Sequence, residues 1–239
     1  MSVLTIVRHG QASLFSSNYD QLSPVGEEQG RRLGKYWARQ RVVIDEVYTG
    51  PRVRQKMSAE LAGSEYRAAG LNWPEPTVLD DLDEYDLDGL ANRYAPRLAQ
   101  ENAEFARLAA RFLHSEGELE RVRNFQRMFE TVVRQWQANA LPDVNVESWP
   151  DFRRRVERVI RRIREQTGRG KRAVLFTSGG FIGCAVQQAL GVPDETALEL
   201  NWRIRNSSLT EFVFTPERFT LDGFNMIPHL DDPALWTYR

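Results

Sequence analysis

The chain has a single cysteine, Cys184, in 239 residues, which excludes an intramolecular disulfide framework. Histidine is almost as scarce. His9, His114 and His229 lie far apart, and neither a CxxC nor an HExxH occurs. No spacing suits a catalytic metal, and no cofactor is expected. One-sided charge is missing too. The formal net charge is −1, so no basic field points to nucleic acid or to an acidic membrane surface. No apolar run approaches the roughly 20 residues that cross a bilayer. The apolar run at residues 3–7 is too short for a signal-peptide core and has no basic lead-in. The expectation is a cytoplasmic protein with neither nucleic-acid nor membrane partners. Repeats and low-complexity segments are absent as well.

What is present is an alternation of strands and helices. Residues 3–7 (Val-Leu-Thr-Ile-Val) read as a buried strand. Ser23 looks like a helix N-cap, with Pro24 at the first helical position and Glu27 and Glu28 near the positive end of the dipole. That helix is expected to run to about Arg41. Residues 46–49 read as a strand, and Gly50-Pro51 turns into a helix through about Leu61. A third strand is expected at 77–79, a fourth at 173–177, a helix at 180–190, and a strand pair at 209–214 and 219–224. Between about 90 and 145 the period changes. Leu98, Phe105, Leu108 and Phe112 recur at helical spacing, as do Leu119, Val122, Phe125, Phe129, Val132 and Trp136. Two amphipathic helices broken near residues 115–117 are expected there. Ser148 can cap a further helix with an apolar face and a run of seven arginines, Arg153 to Arg164, expected to be solvated. The expected fold is α/β: a three-layer α/β/α arrangement with a mostly parallel sheet. The whole chain, 1–239, would be a single domain carrying an α-helical insertion at 90–145, a cap that sets specificity.

Chemistry gathers at the strand ends. Arg8-His9-Gly10 follows the first strand, and Arg54 lies in the first turn of the helix after the second. Glu84 follows the third and Ser178 the fourth. In a doubly wound sheet such positions meet on one rim. An arginine beside a histidine suits phosphoryl transfer, one holding phosphate oxygens and the other taking the phosphorus.

These residues, in this order, resemble the histidine phosphatase superfamily, the phosphoglycerate-mutase-like group. Arg8-His9-Gly10-Gln11-Ala12-Ser13 is similar to its signature. Tyr19-Asp20-Gln21-Leu22-Ser23-Pro24-Val25-Gly26 resembles its first loop and helix entry. Residues 49–60, beginning Thr49-Gly50-Pro51-Arg52-Val53-Arg54-Gln55, are similar to its Ser-Pro-x-x-Arg-Ala-x-Gln-Thr-Ala segment. Leu82-Asp83-Glu84 matches its Leu-x-Glu, and Glu147-Ser148 and the tail around Pro228-His229-Leu230 resemble further landmarks. The resemblance implies a phosphatase that hydrolyses phosphate monoesters, such as small phosphorylated metabolites, without a metal. His9 would form a phosphohistidine, Arg8 and Arg54 would hold the phosphoryl oxygens, and Glu84 would donate the proton to the leaving oxygen. Gly10, Gln11, Ser178 and Gly179 would complete the phosphate site. His229 would be structural, and His114, in the helical insertion, a solvated or packing residue. Arg97, Arg107 and Arg111 could meet a second anionic group. Trp202, Trp236 and Tyr238 could form a contact surface, although no oligomeric state follows from the sequence.

One departure falls in the phosphate site that the resemblance implies. Where the family has Ser/Thr-His-Gly, this chain has Thr177-Ser178-Gly179. A neutral hydroxyl replaces a donor that can carry charge, and charge-assisted hydrogen bonds are roughly twice as strong. Two alternatives to the phosphatase follow: a weak or inactive protein that binds phosphorylated ligands as a regulator, and a mutase-type phosphotransferase. A serine hydrolase built on Ser178 is disfavoured, since the Gly-x-Ser-x-Gly elbow is absent. On the sequence alone, Ser178→His is expected to leave the fold intact and raise turnover.

Overall fold

The structure, a computed structural model, describes residues 1–13, 20–142 and 145–238. Tyr19, the first residue of the loop motif, lies outside them. The chain divides into two compact units, one formed by Met1–Glu84 with Arg155–Arg239 and the other by Tyr85–Arg154.

The first unit is built on a six-stranded sheet in the order β3-β2-β4-β1-β5-β6. Its strands are β1 (Ser2–Arg8), β2 (Glu46–Thr49), β3 (Thr77–Val78), β4 (Arg172–Thr177), β5 (Leu209–Phe214) and β6 (Phe219–Met226). The pairs β1–β4, β2–β4 and β2–β3 are parallel, whereas β1–β5 and β5–β6 are antiparallel. Central strands are apolar on both faces, as burial on both sides demands. Leu4, Ile6, Val7, Val174, Leu175 and Phe176 are all buried. Helices α1 (Pro24–Arg39) and α2 (Val53–Ala68) cover one face. There Leu33, Trp37, Ala59, Ala62 and Tyr66 meet Val7, Val47, Val174 and Phe176. Ser23 caps α1 by accepting the Gly26 amide at 3.1 Å. α1 stops at Arg39, two residues short of the expected end, and the residue at 41 takes a left-handed φ of 51°.

The second unit is helical. It contains α3 (Leu87–Gly89), a π-helical turn at Leu90–Tyr94, α4 (Ala95–Glu101), α5 (Ala103–Leu113) and α6 (Glu118–Gln137). Asn102 caps α5, its side chain accepting the amides of Glu104 and Phe105 at 3.0 Å. Phe125 sits 5.5 Å from Phe112 and stacks on Phe129 at 5.6 Å, so the aromatic stripes of α5 and α6 meet each other. Tyr85, Trp136, Trp149 and Phe152 form a second aromatic cluster. Leu119, counted in the α6 stripe, is instead 89 % exposed in the first turn of that helix.

Helix α7 (Trp149–Gln166) follows, with Ser148 accepting the Asp151 amide at its N-terminus. Then come α8 (Gly179–Leu190), which packs on β1 and β6, and α9 (Asp194–Asn201). The short α9 has no clear apolar period and is invisible in the sequence. Among the described residues no helix is long and apolar enough to cross a membrane.

Candidate active site

β1 and β4 run side by side, with Arg8 opposite Thr177 in the register. The His9 amide donates to the Thr177 carbonyl at 2.9 Å, so the two chains leave the sheet together and set His9 beside Ser178. His9 is 5 % exposed. Its Nδ1 lies 2.7 Å from the Gly10 carbonyl oxygen. A carbonyl can only accept, so Nδ1 carries the proton and Nε2 keeps its lone pair. Arg54 Nε donates to that Nε2 at 3.2 Å. Burial, followed by the charges of Arg54 and Arg8, holds the imidazole well below its ordinary pKa. The ring is therefore neutral at physiological pH.

Arg54 is 2 % exposed and rises from the first turn of α2. Its Nη1 donates to Asp20 Oδ1 at 2.8 Å, while Asp20 Oδ2 accepts the Val53 amide at 2.8 Å. Asp20 thus fixes both the arginine and the start of its helix. Arg8 donates through Nη1 to the Ile204 carbonyl. Gly10 is packed against α1: a Cβ there would lie 2.4 Å from the Gly26 carbonyl oxygen. Its amide donates to Ser58 Oγ at 2.9 Å, and Ser58 in turn donates to the Arg54 carbonyl at 2.7 Å. The His9 loop and the arginine helix are stitched together by that serine.

Glu84 is buried, and its Oε2 accepts the Gly180 amide in the first turn of α8 at 3.1 Å. The acidic neighbours are otherwise engaged. Asp83 takes Arg52 Nε on both oxygens, at 2.8 and 3.1 Å, and Asp86 accepts the Gly89 amide at 2.8 Å. Arg155 clamps the Glu84 loop, donating to the carbonyls of Asp81, Asp83 and Glu84 at 3.0, 2.8 and 3.2 Å. This corrects the reading of the arginine run as a uniformly solvated face. Seven arginines share one helix, and only geometry distinguishes the one that meets three carbonyls.

Ser178 is fully buried at the N-terminus of α8, and its Oγ accepts Gln55 Nε2 at 2.9 Å. Gly179 opens that helix against Asn201. Gln11 is turned elsewhere, its Oε1 accepting the Ser23 hydroxyl at 2.8 Å. His229 Nε2 lies 2.9 Å from Ser207 Oγ, away from His9, and burial pushes its pKa down to about 3. His114 is exposed and so solvated. Among the described residues no group of three or more His, Cys, Asp or Glu side chains is placed to hold a metal.

Sequence reasoning missed the support behind His9. The Ser207 amide donates to the carbonyls of Arg8 and His9 at 3.0 and 3.3 Å, from a left-handed φ of 59°. Asn206 Nδ2 donates to the His9 carbonyl at 3.3 Å. A non-glycine residue held at positive φ beside a reactive loop is strain that the surroundings must impose. An Asn-Ser-Ser run at a strand entry was the available signal.

A strand-end histidine with an unprotonated ring nitrogen, flanked by two guanidinium groups on a mostly parallel sheet, is an arrangement suited to a tetrahedral anion. The sequence profile of the histidine phosphatase superfamily (branch 1) matches residues 4–140 and, in an overlapping stretch, 117–227. The chain belongs to the histidine phosphatase superfamily. Solved structures share the fold at low identity. A putative α-ribazole-5'-P phosphatase from Escherichia coli is 21 % identical with a TM-score of 0.62, over 94 % of this chain and 96 % of that one. Bacillus stearothermophilus YhfR is 16 % identical with a TM-score of 0.67, over 97 % and 100 %. A phosphoserine phosphatase from Entamoeba histolytica, in complex with 3-phosphoglyceric acid, is 16 % identical with a TM-score of 0.62, over 96 % and 100 %. No curated protein sequence matches the chain.

Proposed function

We propose that this protein is a metal-independent phosphatase acting on the phosphate monoester of a small phosphorylated metabolite. One observation carries the reading: a buried, neutral imidazole whose Nε2 lone pair faces the Arg54 guanidinium. A structural histidine has no need of two flanking cations that depress its pKa, whereas an in-line nucleophile for an anion does.

In the first step His9 Nε2 exchanges its hydrogen bond from Arg54 for a bond to phosphorus. Arg54 and Arg8 turn their N–H groups to the non-bridging oxygens. The ester P–O bond breaks, and Glu84 gives its proton to the leaving oxygen. In the second step Glu84 takes a proton from water, whose oxygen attacks phosphorus. The P–N bond breaks, releasing inorganic phosphate and restoring neutral His9. The Gly10 carbonyl holds the Nδ1 proton throughout, so the imidazole never loses its attacking tautomer.

Hydrolysis of p-nitrophenyl phosphate tests this. The wild type turns over and forms an acid-labile, base-stable phosphoryl label on His9. His9→Ala lowers kcat by about 10⁴-fold or more. Turnover unchanged in that variant overturns the reading. A second reading, a regulator that binds phosphorylated ligands without turnover, draws on the neutral Ser178–Gln55 pair. Tight vanadate binding without hydrolysis of any ester would favour it.

A further inference from the structure

Gln55 is completely buried, and each of its amide atoms is assigned a partner. Its Oε1 accepts the Arg52 amide at 3.1 Å, and its Nε2 donates to Ser178 Oγ at 2.9 Å and to the Leu82 carbonyl at 3.3 Å. Thr177 Oγ1 also donates to Leu82, at 2.6 Å, so that carbonyl does not depend on Gln55. The Ser178 oxygen does. Because Gln55 donates into Oγ, the Ser178 proton must point elsewhere, and among the described residues it has no acceptor. Ser178 follows β4 where His9 follows β1, one step past the Arg8–Thr177 pair of the register.

Room for this arrangement comes from Gly50. A Cβ there would lie 2.1 Å from Gln55 Oε1 and 2.9 Å from the Leu82 carbonyl oxygen. Gly50, Gln55 and Ser178 therefore form one steric unit. They are also three places where the chain departs from the motifs it otherwise follows, which have Ser, Ala and His there. Gln55 touches both of the others, so substitutions at the three positions are expected to be energetically coupled.

We propose that Gln55 is a positioning residue that locks the Ser178 hydroxyl as a neutral hydrogen-bond donor to a phosphoryl oxygen, with Gly50 making space for it. The proposal rests on the phosphatase reading and deepens it. It also revises the expectation for Ser178→His. An imidazole placed at 178 would meet a packed, buried amide, and overpacking such a site displaces its neighbours. Ser178→His alone therefore lowers turnover, and Gln55→Ala in the same chain restores room for the ring.

The experiment measures kcat, KM, pH profile and thermal midpoint on p-nitrophenyl phosphate. Ser178→Ala is expected to lower kcat by about 10²-fold. Gln55→Met, which keeps bulk but cannot donate, is expected to lower kcat by about tenfold with KM little changed. The double variant is no slower than Ser178→Ala, because the glutamine acts through the serine. Q55A/S178H exceeds S178H in kcat, and its pH profile gains an ionisation that the wild type lacks. Any one of three results overturns the proposal: wild-type kcat in a folded Gln55→Met, additive effects in the double variant, or S178H as active as Q55A/S178H. If the wild type hydrolyses nothing, the phosphatase reading has failed. The same variants are then scored by vanadate calorimetry. Weaker binding by S178A and Q55M, without additivity, supports the pair, and unchanged binding overturns it.

Discussion

The two flanks of the site are built from different materials. On the β1–α2 flank the donors carry fixed charge: Arg8 and Arg54 bracket His9, and Asp20 anchors Arg54 by a 2.8 Å ion pair. On the β4–α8 flank the polar groups are neutral: the Ser178 hydroxyl, held from α2 by the Gln55 amide, and the first-turn N–H of Gly180. Charged donors act strongly in a desolvated site and lower the pKa of the imidazole beside them. Neutral donors contribute less each, depend on exact placement by their neighbours, and do not titrate. On the proposed reading, the charged flank would hold the anion and the neutral flank would orient it.

Beyond His9→Ala, the contrast can be broken from either side. Glu84→Gln removes the proposed proton donor. For an alkyl phosphate, whose leaving oxygen needs protonation, kcat should fall by about 10³-fold. With p-nitrophenyl phosphate, which leaves as a weak base, the loss should be much smaller. Equal losses on both substrates would show that Glu84 is not the acid. Arg54→Met removes a cation from the charged flank and is expected to lower kcat/KM by about 10²- to 10³-fold, with vanadate binding weakened alongside. Arg155→Met leaves every reacting group in place and frees the backbone at Glu84. Loss of that alignment should lower kcat by about tenfold with little change in KM, as steady-state kinetics would reveal.

A separate effect is expected on stability. His229 has its pKa pushed down to about 3 by burial, with Arg32 adding to the shift. The unfolded chain protonates this residue below its ordinary pKa of 6.5 while the folded chain stays neutral. Folding stability therefore falls as the pH drops from about 6.5 toward 3. Between pH 7 and pH 5 the wild type should lose about 2 kcal/mol more than His229→Gln in urea unfolding. Parallel losses in the two proteins would refute this.

Much of this was legible before any coordinates. The β1 run, the Ser23 cap, the β5 limits and the His9–Arg54 pairing followed from apolar period, capping chemistry and motif order. The interior face of α2 did not. Its buried positions include Arg54, Gln55, Ser58 and Gly63, and polar or small residues draw no apolar stripe. That is also why the helix seemed to end near residue 61 when it continues to Ala68. Gln55 reads as a surface glutamine until β4 is laid beside it. Arg155 is indistinguishable by composition from Arg154, and tertiary packing alone selects it.

The topology has a consequence for folding. β1 is flanked in the finished sheet by β4 and β5. Thr237, near the opposite terminus, donates to Asn206 Oδ1 at 3.0 Å and so braces the residue whose amide meets the His9 carbonyl. β1 and the His9 carbonyl therefore depend on partners far along the chain. Contacts this distant slow folding, and a species in which they have not yet formed leaves His9 without its support.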